Sequence, residues 1–169
     1  MNKSEAFDQG SRAGGFRFIR RWIIVILRVH LGVILLLTVA GKIFREAPFV
    51  DEMLAFLQGF VTKNASAPYV TFINEIVIPH AKLFSYLILT GELAAGLSLL
   101  LGLGTRVGAV IAMFLFLNYM LAKGRLFWSP DSEDAAVFFM ALVCCIGAAG
   151  RVGGLDSYLA RRWPKSLFW

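Results

Sequence analysis

Three ionisable side chains, Arg28, His30 and Glu92, interrupt stretches that are otherwise apolar. A charged group inside a membrane-spanning helix is costly, so such residues pair with one another or mark a functional site. A carboxylate and a basic group at the same depth can form an ion pair, relay protons or hold the polar end of a ligand. These three residues are therefore the first candidates for a binding site or a proton relay.

Helix geometry limits which of these candidates can meet. At about 1.5 Å per residue, Glu92 lies about 15 Å along its stretch, and Arg28 lies about 9 Å from the start of its own. An arginine side chain can bridge the remaining depth of about 6 Å, so an Arg28–Glu92 pair is allowed. His30 points away from Arg28, and we expect it to face another helix or a bound group. The pair would serve either packing or chemistry.

Composition identifies the class of protein that must hold these residues. Hydrophobic residues make up 58% of the 169 and charged residues 17%, whereas soluble proteins have about 45–50% and 25%. The net charge of +6 is typical of basic residues that flank membrane spans, so no nucleic-acid partner is expected. Cys144 and Cys145 are neighbours in an apolar run, and we interpret them as inert core residues. No metal site is predicted, and no haem, because His30 and His80 would lie about 15 Å or more apart along the membrane normal.

Four stretches are long enough to cross a bilayer as helices, which takes about 20 residues. They are residues 22–44, 83–104, 107–122 and 135–150. The sequence thus predicts an all-α integral membrane protein, a bundle of four transmembrane helices. Apolar residues at helical spacing from residue 50 to residue 61 add an amphipathic helix in the outer loop 45–82. A short basic helix follows the last span.

The predicted organisation has three parts: a basic N-terminal segment 1–20, a membrane domain 21–162 and a tail 163–169. Ten Lys and Arg residues fall on the side of the termini and six on the side of the long loop. The positive-inside rule then places both termini in the cytoplasm. We expect a multi-pass protein of the bacterial or archaeal inner membrane.

Other residues receive structural or binding roles from their position. Gly32 and Gly96 are small residues suited to close helix contact, and Asn118 is expected to form an interhelical hydrogen bond. Asp156 is placed to cap the short basic helix after the last span. Lys42 and Lys82 lie at the outer ends of their spans, where they would attract an anion.

Three motifs resemble those of the DoxX/DoxD family of small bacterial and archaeal membrane proteins. The first span carries Arg28 and Gly32 followed by Gly41-Lys42, the second and its turn run from Gly91-Glu92 to Thr105-Arg106, and the chain ends its last span with Gly150-Arg151-Val-Gly-Gly-Leu-Asp156. The long outer loop is similar to that of the DoxD branch, which includes the larger subunit of thiosulfate:quinone oxidoreductase.

The resemblance implies a four-helix membrane bundle and a quinone-linked oxidation of a sulfur compound such as thiosulfate, carried out with a partner subunit. Arg28, Glu92 and His30 would then line a site for a non-covalently bound quinone. A second hypothesis makes the chain a non-catalytic accessory subunit of a larger respiratory or photosynthetic complex. Both hypotheses expect the lipid bilayer and other membrane subunits as partners.

Overall fold

The computed structural model describes the backbone of residues 3–164 and the side chains of residues 21–164. Every regular element in that part of the chain is a helix, which confirms the all-α class. The side chains of the predicted basic segment 1–20, and the tail from residue 165 onward, lie outside the described residues. In chain order the α-helices are α1 (Lys3–Ile43), α2 (Phe49–Phe56), α3 (Thr62–Asn64), α4 (Ala67–Phe72), α5 (Ala81–Leu101), α6 (Thr105–Lys123), α7 (Glu133–Ile146) and α8 (Asp156–Arg162).

In the part of the chain whose side chains are described, three helices are long and apolar enough to cross a membrane: the Arg21–Ile43 part of α1, α5 and α6. The fourth predicted span, 135–150, is built differently. It forms the 14-residue helix α7, which extends only about 21 Å, and a 3₁₀ turn at Ala149–Arg151 follows. A hydrocarbon layer is about 30 Å thick, so a fourth crossing stays a prediction.

The four long helices pack in a ring, since α1 contacts α5, α5 contacts α6, α6 contacts α7, and α7 returns to α1. The tight connection between α5 and α6 defines one end of the bundle, called the hairpin end below. Residues 44–80 define the opposite, loop end. Large apolar side chains such as Leu31, Leu35, Leu99 and Phe116 fill the space between the helices.

Glycine brings α1 and α5 into close contact. A Cβ atom on Gly32 would lie 2.7 Å from the backbone nitrogen of Leu100, and one on Gly96 would lie 2.9 Å from the Leu36 side chain. Because backbone atoms cannot yield, the two helices approach this closely only with glycine at position 32. This contact fixes the register of α1 against α5.

The segment between α1 and α5 forms a helical cap over the loop end. It contains α2, α3 and α4 and two π-helical turns, Leu57–Val61 and Ile73–Val77. Met53, Leu57 and Val61 from the first half are buried against Ile73 and Val77 from the second. The cap cluster also includes Ala81 and Ala122, so it joins the ends of α5 and α6.

Candidate functional site

A lysine, a glutamate and a tyrosine from three helices meet inside the bundle. The Nζ atom of Lys42 lies 2.6 Å from both carboxylate oxygens of Glu92. The hydroxyl of Tyr119 donates a 2.6 Å hydrogen bond to Glu92 Oε1, and Lys42 Nζ lies 3.4 Å from the Tyr119 oxygen. We refer to Lys42, Glu92 and Tyr119 as the polar cluster.

The polar cluster is largely shielded from its surroundings. Only 2% of the Glu92 side chain is exposed, against 20% of the Lys42 side chain. The rings of Phe49 and Tyr119 have their centres 4.9 Å and 5.5 Å from Lys42 Nζ, which adds cation–π attraction. In this apolar setting an ion pair is stable only when hydrogen bonds complete it, and Tyr119 supplies one.

The register of α1 against α5 explains why Lys42 reaches Glu92. Gly32 lies against Leu100, and the helices are antiparallel, so ten residues further along α1 correspond to ten residues back along α5. Lys42 is therefore level with Thr90, within one helical turn of Glu92. Helix α5 extends past the end of α1 beneath the cap, and this places Lys42 below the cap rather than at an exposed outer face.

The structure does not contain the Arg28–Glu92 pair that helix geometry allows, because each residue has other partners. Arg28 lies toward the hairpin end, where its Nη1 donates to the carbonyl of Ala149 at 3.3 Å and its Nη2 to that of Gly153 at 3.4 Å. The side chain is buried, and its Nε has no partner. Its path runs against Gly102 and Gly154, where any side chain would collide with the guanidinium. Arg28 thus holds the turn after α7 against α1 at the hairpin end of the bundle.

The expected cap of the short basic helix by Asp156 is also wrong, because this side chain caps a different helix. Its carboxylate oxygens accept the backbone N–H groups of Gly104 at 2.7 Å and Thr105 at 2.9 Å, at the start of α6. The backbone N–H of Asp156 donates to the carbonyl of Gly102. The negative carboxylate is favourable at the N-terminus of α6, where the helix dipole is positive. The C-terminal segment is thereby attached to the α5–α6 turn.

His30 and the lysines take separate places. His30 is exposed on the outer surface of α1, so it lines no site with Arg28 or Glu92. Lys82 is exposed at the loop end, at the start of α5. Lys42 does not offer a free charge to an anion, because Glu92 already neutralises it. The prediction that Lys42 attracts an anion at the outer face is thereby corrected, and the same prediction for Lys82 stays a prediction.

Asn118 connects α6 to the cap. The Tyr69 hydroxyl donates to the backbone carbonyl of Asn118 at 3.2 Å, and the Asn118 side chain donates to the carbonyl of Phe114 in its own helix. Burial raises the pKa of Tyr69, so this phenol stays a neutral donor. Two further groups join α6 to α7 at the same end, where Lys123 Nζ lies 2.7 Å from the carboxylate of Asp134.

The remaining candidates lie at the hairpin end. Arg106 is half-buried in the first turn of α6, and Arg151 is exposed in the turn after α7. Cys144 is buried in the core, and Cys145 is half-buried beside it. Among the described side chains, no group of three or more His, Cys, Asp or Glu residues is arranged to hold a metal ion.

Sequence reasoning missed Tyr119 as a neighbour of Glu92 and Phe49 as a neighbour of Lys42. The sequence alone could have indicated Tyr119, because a phenol inside a span needs a hydrogen-bond partner just as Asn118 does. Phe49 carries no such signal, since its place over Lys42 depends on how the cap folds back onto the bundle.

A comparison with family models matches residues 23–123, more than half of the chain, to the family described as DoxX. No curated protein and no solved structure matches the chain. The match begins in α1 and ends at the last residue of α6, so it includes all three residues of the polar cluster.

Proposed function

The chain belongs to the DoxX family, and from this premise we propose that it is the integral membrane subunit of a quinone-linked oxidoreductase, with thiosulfate as a donor. The observation that carries the proposal is the polar cluster, a proton-bearing amine, carboxylate and phenol within hydrogen-bond distance inside a membrane bundle. Groups in this arrangement are suited to proton transfer, because each proton has an acceptor in place.

The residues around the cluster fit a quinone. A quinone head group needs hydrogen-bond donors for its carbonyl oxygens and apolar, planar surroundings. Lys42 is partly accessible and carries a donor, while the rings of Phe49 and Tyr119 lie close to its ammonium. When bound, a quinone would supply the acceptor for two electrons; Lys42 would donate a hydrogen bond to its carbonyl oxygen, and the rings of Phe49 and Tyr119 would lie beside its planar ring.

The chain's own residues would manage the protons. Glu92 accepts hydrogen bonds from both Lys42 and Tyr119 and thereby orients their donating groups. A proton at Lys42 Nζ lies within reach of the carboxylate and of the phenol oxygen, so protons can move among the three groups. Arg28 and His30 have no part in this relay, because Arg28 lies toward the hairpin end and His30 is exposed. Lys82, exposed at the loop end, remains a candidate for attracting an anionic donor such as thiosulfate.

The chain would cross the membrane four times. Helix α7 starts beside Lys123 at the loop end, and the turn that follows it contacts Arg28 toward the hairpin end. Residues 133–151 therefore lead from one end of the bundle to the other although α7 alone is short. Helix α7 is about 9 Å shorter than the hydrocarbon layer is thick, and local thinning of the bilayer and interfacial residues can accommodate this difference.

One observation favours the second candidate function, a non-catalytic accessory subunit of a larger respiratory or photosynthetic complex. His30 is exposed in the middle of the Arg21–Ile43 span, among exposed apolar residues such as Ile26 and Val33. A polar ring that faces lipid is costly, so a helix of another subunit would cover it. In that case the polar cluster would serve packing alone.

The test is turnover of the protein purified in mild detergent together with its native associates. Thiosulfate is the donor, a soluble quinone analogue is the acceptor, and bound quinone is extracted and identified. We expect Tyr119→Phe to keep the Lys42–Glu92 pair and the fold but to lower turnover by about a hundredfold or more. Tyr86→Phe makes the same change at an exposed position of α5 and should leave turnover intact.

Full turnover in Tyr119→Phe would overturn the role of the polar cluster. Co-purification with a large complex, without bound quinone or turnover, would overturn the oxidoreductase proposal and establish the accessory function.

A further inference from the structure

A cleft of about 730 Å³ opens at the hairpin end, away from the polar cluster. Its walls come from the start of the α1 span, the turn after α7 and helix α8. Three of the lining residues are arginines, Arg21, Arg151 and Arg161, and Ser157 adds a hydroxyl. The volume is that of a typical small-molecule site.

The described lining of the cleft carries charge of one sign. Among the residues whose side chains the structure describes, the charged ones that line it are all arginines. The nearest carboxylate in the sequence, Asp156, is buried and engaged with the backbone of Gly104 and Thr105, so it does not line the cleft. Arg21 and Arg161 are exposed guanidinium groups of this lining, and a bound anion would neutralise them.

The wall formed by the turn after α7 is fixed before any ligand binds. Arg28 holds this turn through the carbonyls of Ala149 and Gly153. Ala148 has a φ of 46°, a left-handed conformation that an alanine adopts only when its surroundings impose it. A preformed wall lowers the entropic cost of binding.

The position of the cleft defines its surroundings. Arg21 directly precedes the apolar run that begins at residue 22, and Ile24 lies one turn deeper in the same wall. The cleft thus has a basic mouth at the depth of lipid head groups and an apolar side toward the hydrocarbon. Guanidinium groups match the oxygens of phosphate in pairs, and basic pockets between membrane helices bind anionic head groups.

We propose that this arginine cleft binds a phosphate group, presented either by an anionic phospholipid or by a soluble phosphorylated molecule. The apolar wall at Ile24 fits the first acyl carbons of a lipid. Arg21 from α1 and Arg161 from α8 bind the phosphate. The site is independent of the polar cluster and of any quinone chemistry.

The experiment is a titration of the purified, delipidated full chain by native mass spectrometry. The probes are phosphatidylglycerol, which is anionic, phosphatidylcholine, which has no net charge, and inorganic phosphate as competitor. We expect phosphatidylglycerol to bind in preference to phosphatidylcholine, and Arg21→Gln/Arg161→Gln to bind it about thirtyfold more weakly. Arg162→Gln removes the same charge from α8 at a residue that does not line the cleft, and should bind phosphatidylglycerol normally.

Each outcome decides. Displacement of the lipid by millimolar phosphate, with the same dependence on Arg21 and Arg161, keeps the phosphate site and assigns it to a soluble ligand. Equal weakening by Arg162→Gln, or equal binding of the two lipids, overturns the proposal. If the double variant loses its helical circular dichroism, Arg161→Gln alone is measured, and unchanged binding by that variant overturns the proposal.

Discussion

Arg28 and Lys42 are basic residues of one helix that point into the bundle, yet they are stabilised in different ways. Arg28 has two backbone carbonyls as partners, whereas Lys42 has a carboxylate and a phenol nearby. Removing Glu92 therefore leaves a buried ammonium without a counter-charge, and removing Arg28 leaves only neutral carbonyls exposed to apolar surroundings.

Glu92→Gln should destabilise the protein by about 3–5 kcal/mol, since breaking a buried ion pair strands the remaining charge. The double variant Lys42→Met/Glu92→Gln should regain most of that loss, because no charge is left inside while Tyr119 keeps an acceptor. Thermal unfolding in detergent measures both, with Glu75→Gln as the control at an exposed carboxylate. Equal losses in the single and double variants would show that the stranded charge of Lys42 is not the cause of the loss.

The sequence indicates Glu92 as the key buried acid but does not reveal its partner. A depth counted along each helix from the end of its own apolar run places Lys42 at the membrane–water interface. The true depth of Lys42 depends on the offset between α1 and α5, which is set by the contact of Gly32 with Leu100. A side-by-side offset is a property of two helices, so no single stretch of sequence contains it.

Among the elements, the contact between α1 and α5 is the most sensitive to side-chain size. Gly32→Ala should destabilise the protein by about 1–3 kcal/mol, because the added methyl would meet the backbone of α5. Gly41→Ala is the matched control on the same helix, where a Cβ meets nothing within 4 Å. It should be neutral or slightly stabilising, since alanine favours helix. Equal melting temperatures for the two variants would refute the close contact.

The start of α6 depends on a residue from another part of the chain. Asp156→Ala removes the acceptor of two backbone N–H groups and should cost about 0.5–2 kcal/mol, the usual value of a helix cap. It should also make the segment after α7 more accessible to proteases, measured by limited proteolysis. Asp131→Ala, an exposed aspartate between α6 and α7, is the control. An unchanged cleavage rate in Asp156→Ala would show that the Asp156 carboxylate is not needed to hold the segment.

At the scale of the whole molecule, the apolar periodicity and the short connection at residues 102–104 are enough to predict a helical bundle and its α5–α6 hairpin. The same patterns do not show that α7 is only 14 residues long, because the glycines and alanines after Ile146 are apolar and extend the hydrophobic run beyond the helix. They also do not show that Asp156 contacts the start of α6, since its carboxylate and the Thr105 N–H that it accepts are 51 residues apart in the sequence.

Four crossings predict a definite pattern of accessibility. With Cys144 and Cys145 replaced by alanine, single cysteines at Leu103 and Tyr158 should react with a membrane-impermeant reagent from the cytoplasmic side only. Cysteines at Ser66 and Trp128 should react from the opposite side, since all four positions are exposed. Reaction of Tyr158→Cys from the same side as Trp128→Cys would show that α7 does not cross.

Because Arg28 is attached to the turn after α7, it is synthesised well before its hydrogen-bond partners. Arg28 enters the membrane with the first helix, but the carbonyl of Gly153 follows 125 residues later. At about 5–20 residues per second, translation takes roughly 6–25 s to supply that partner. During this interval Arg28 lies in the first inserted helix without its carbonyl partners, and α6 lacks its carboxylate cap. A nascent chain stopped before residue 149 would therefore lack both the carbonyl partners of Arg28 and the carboxylate cap of α6.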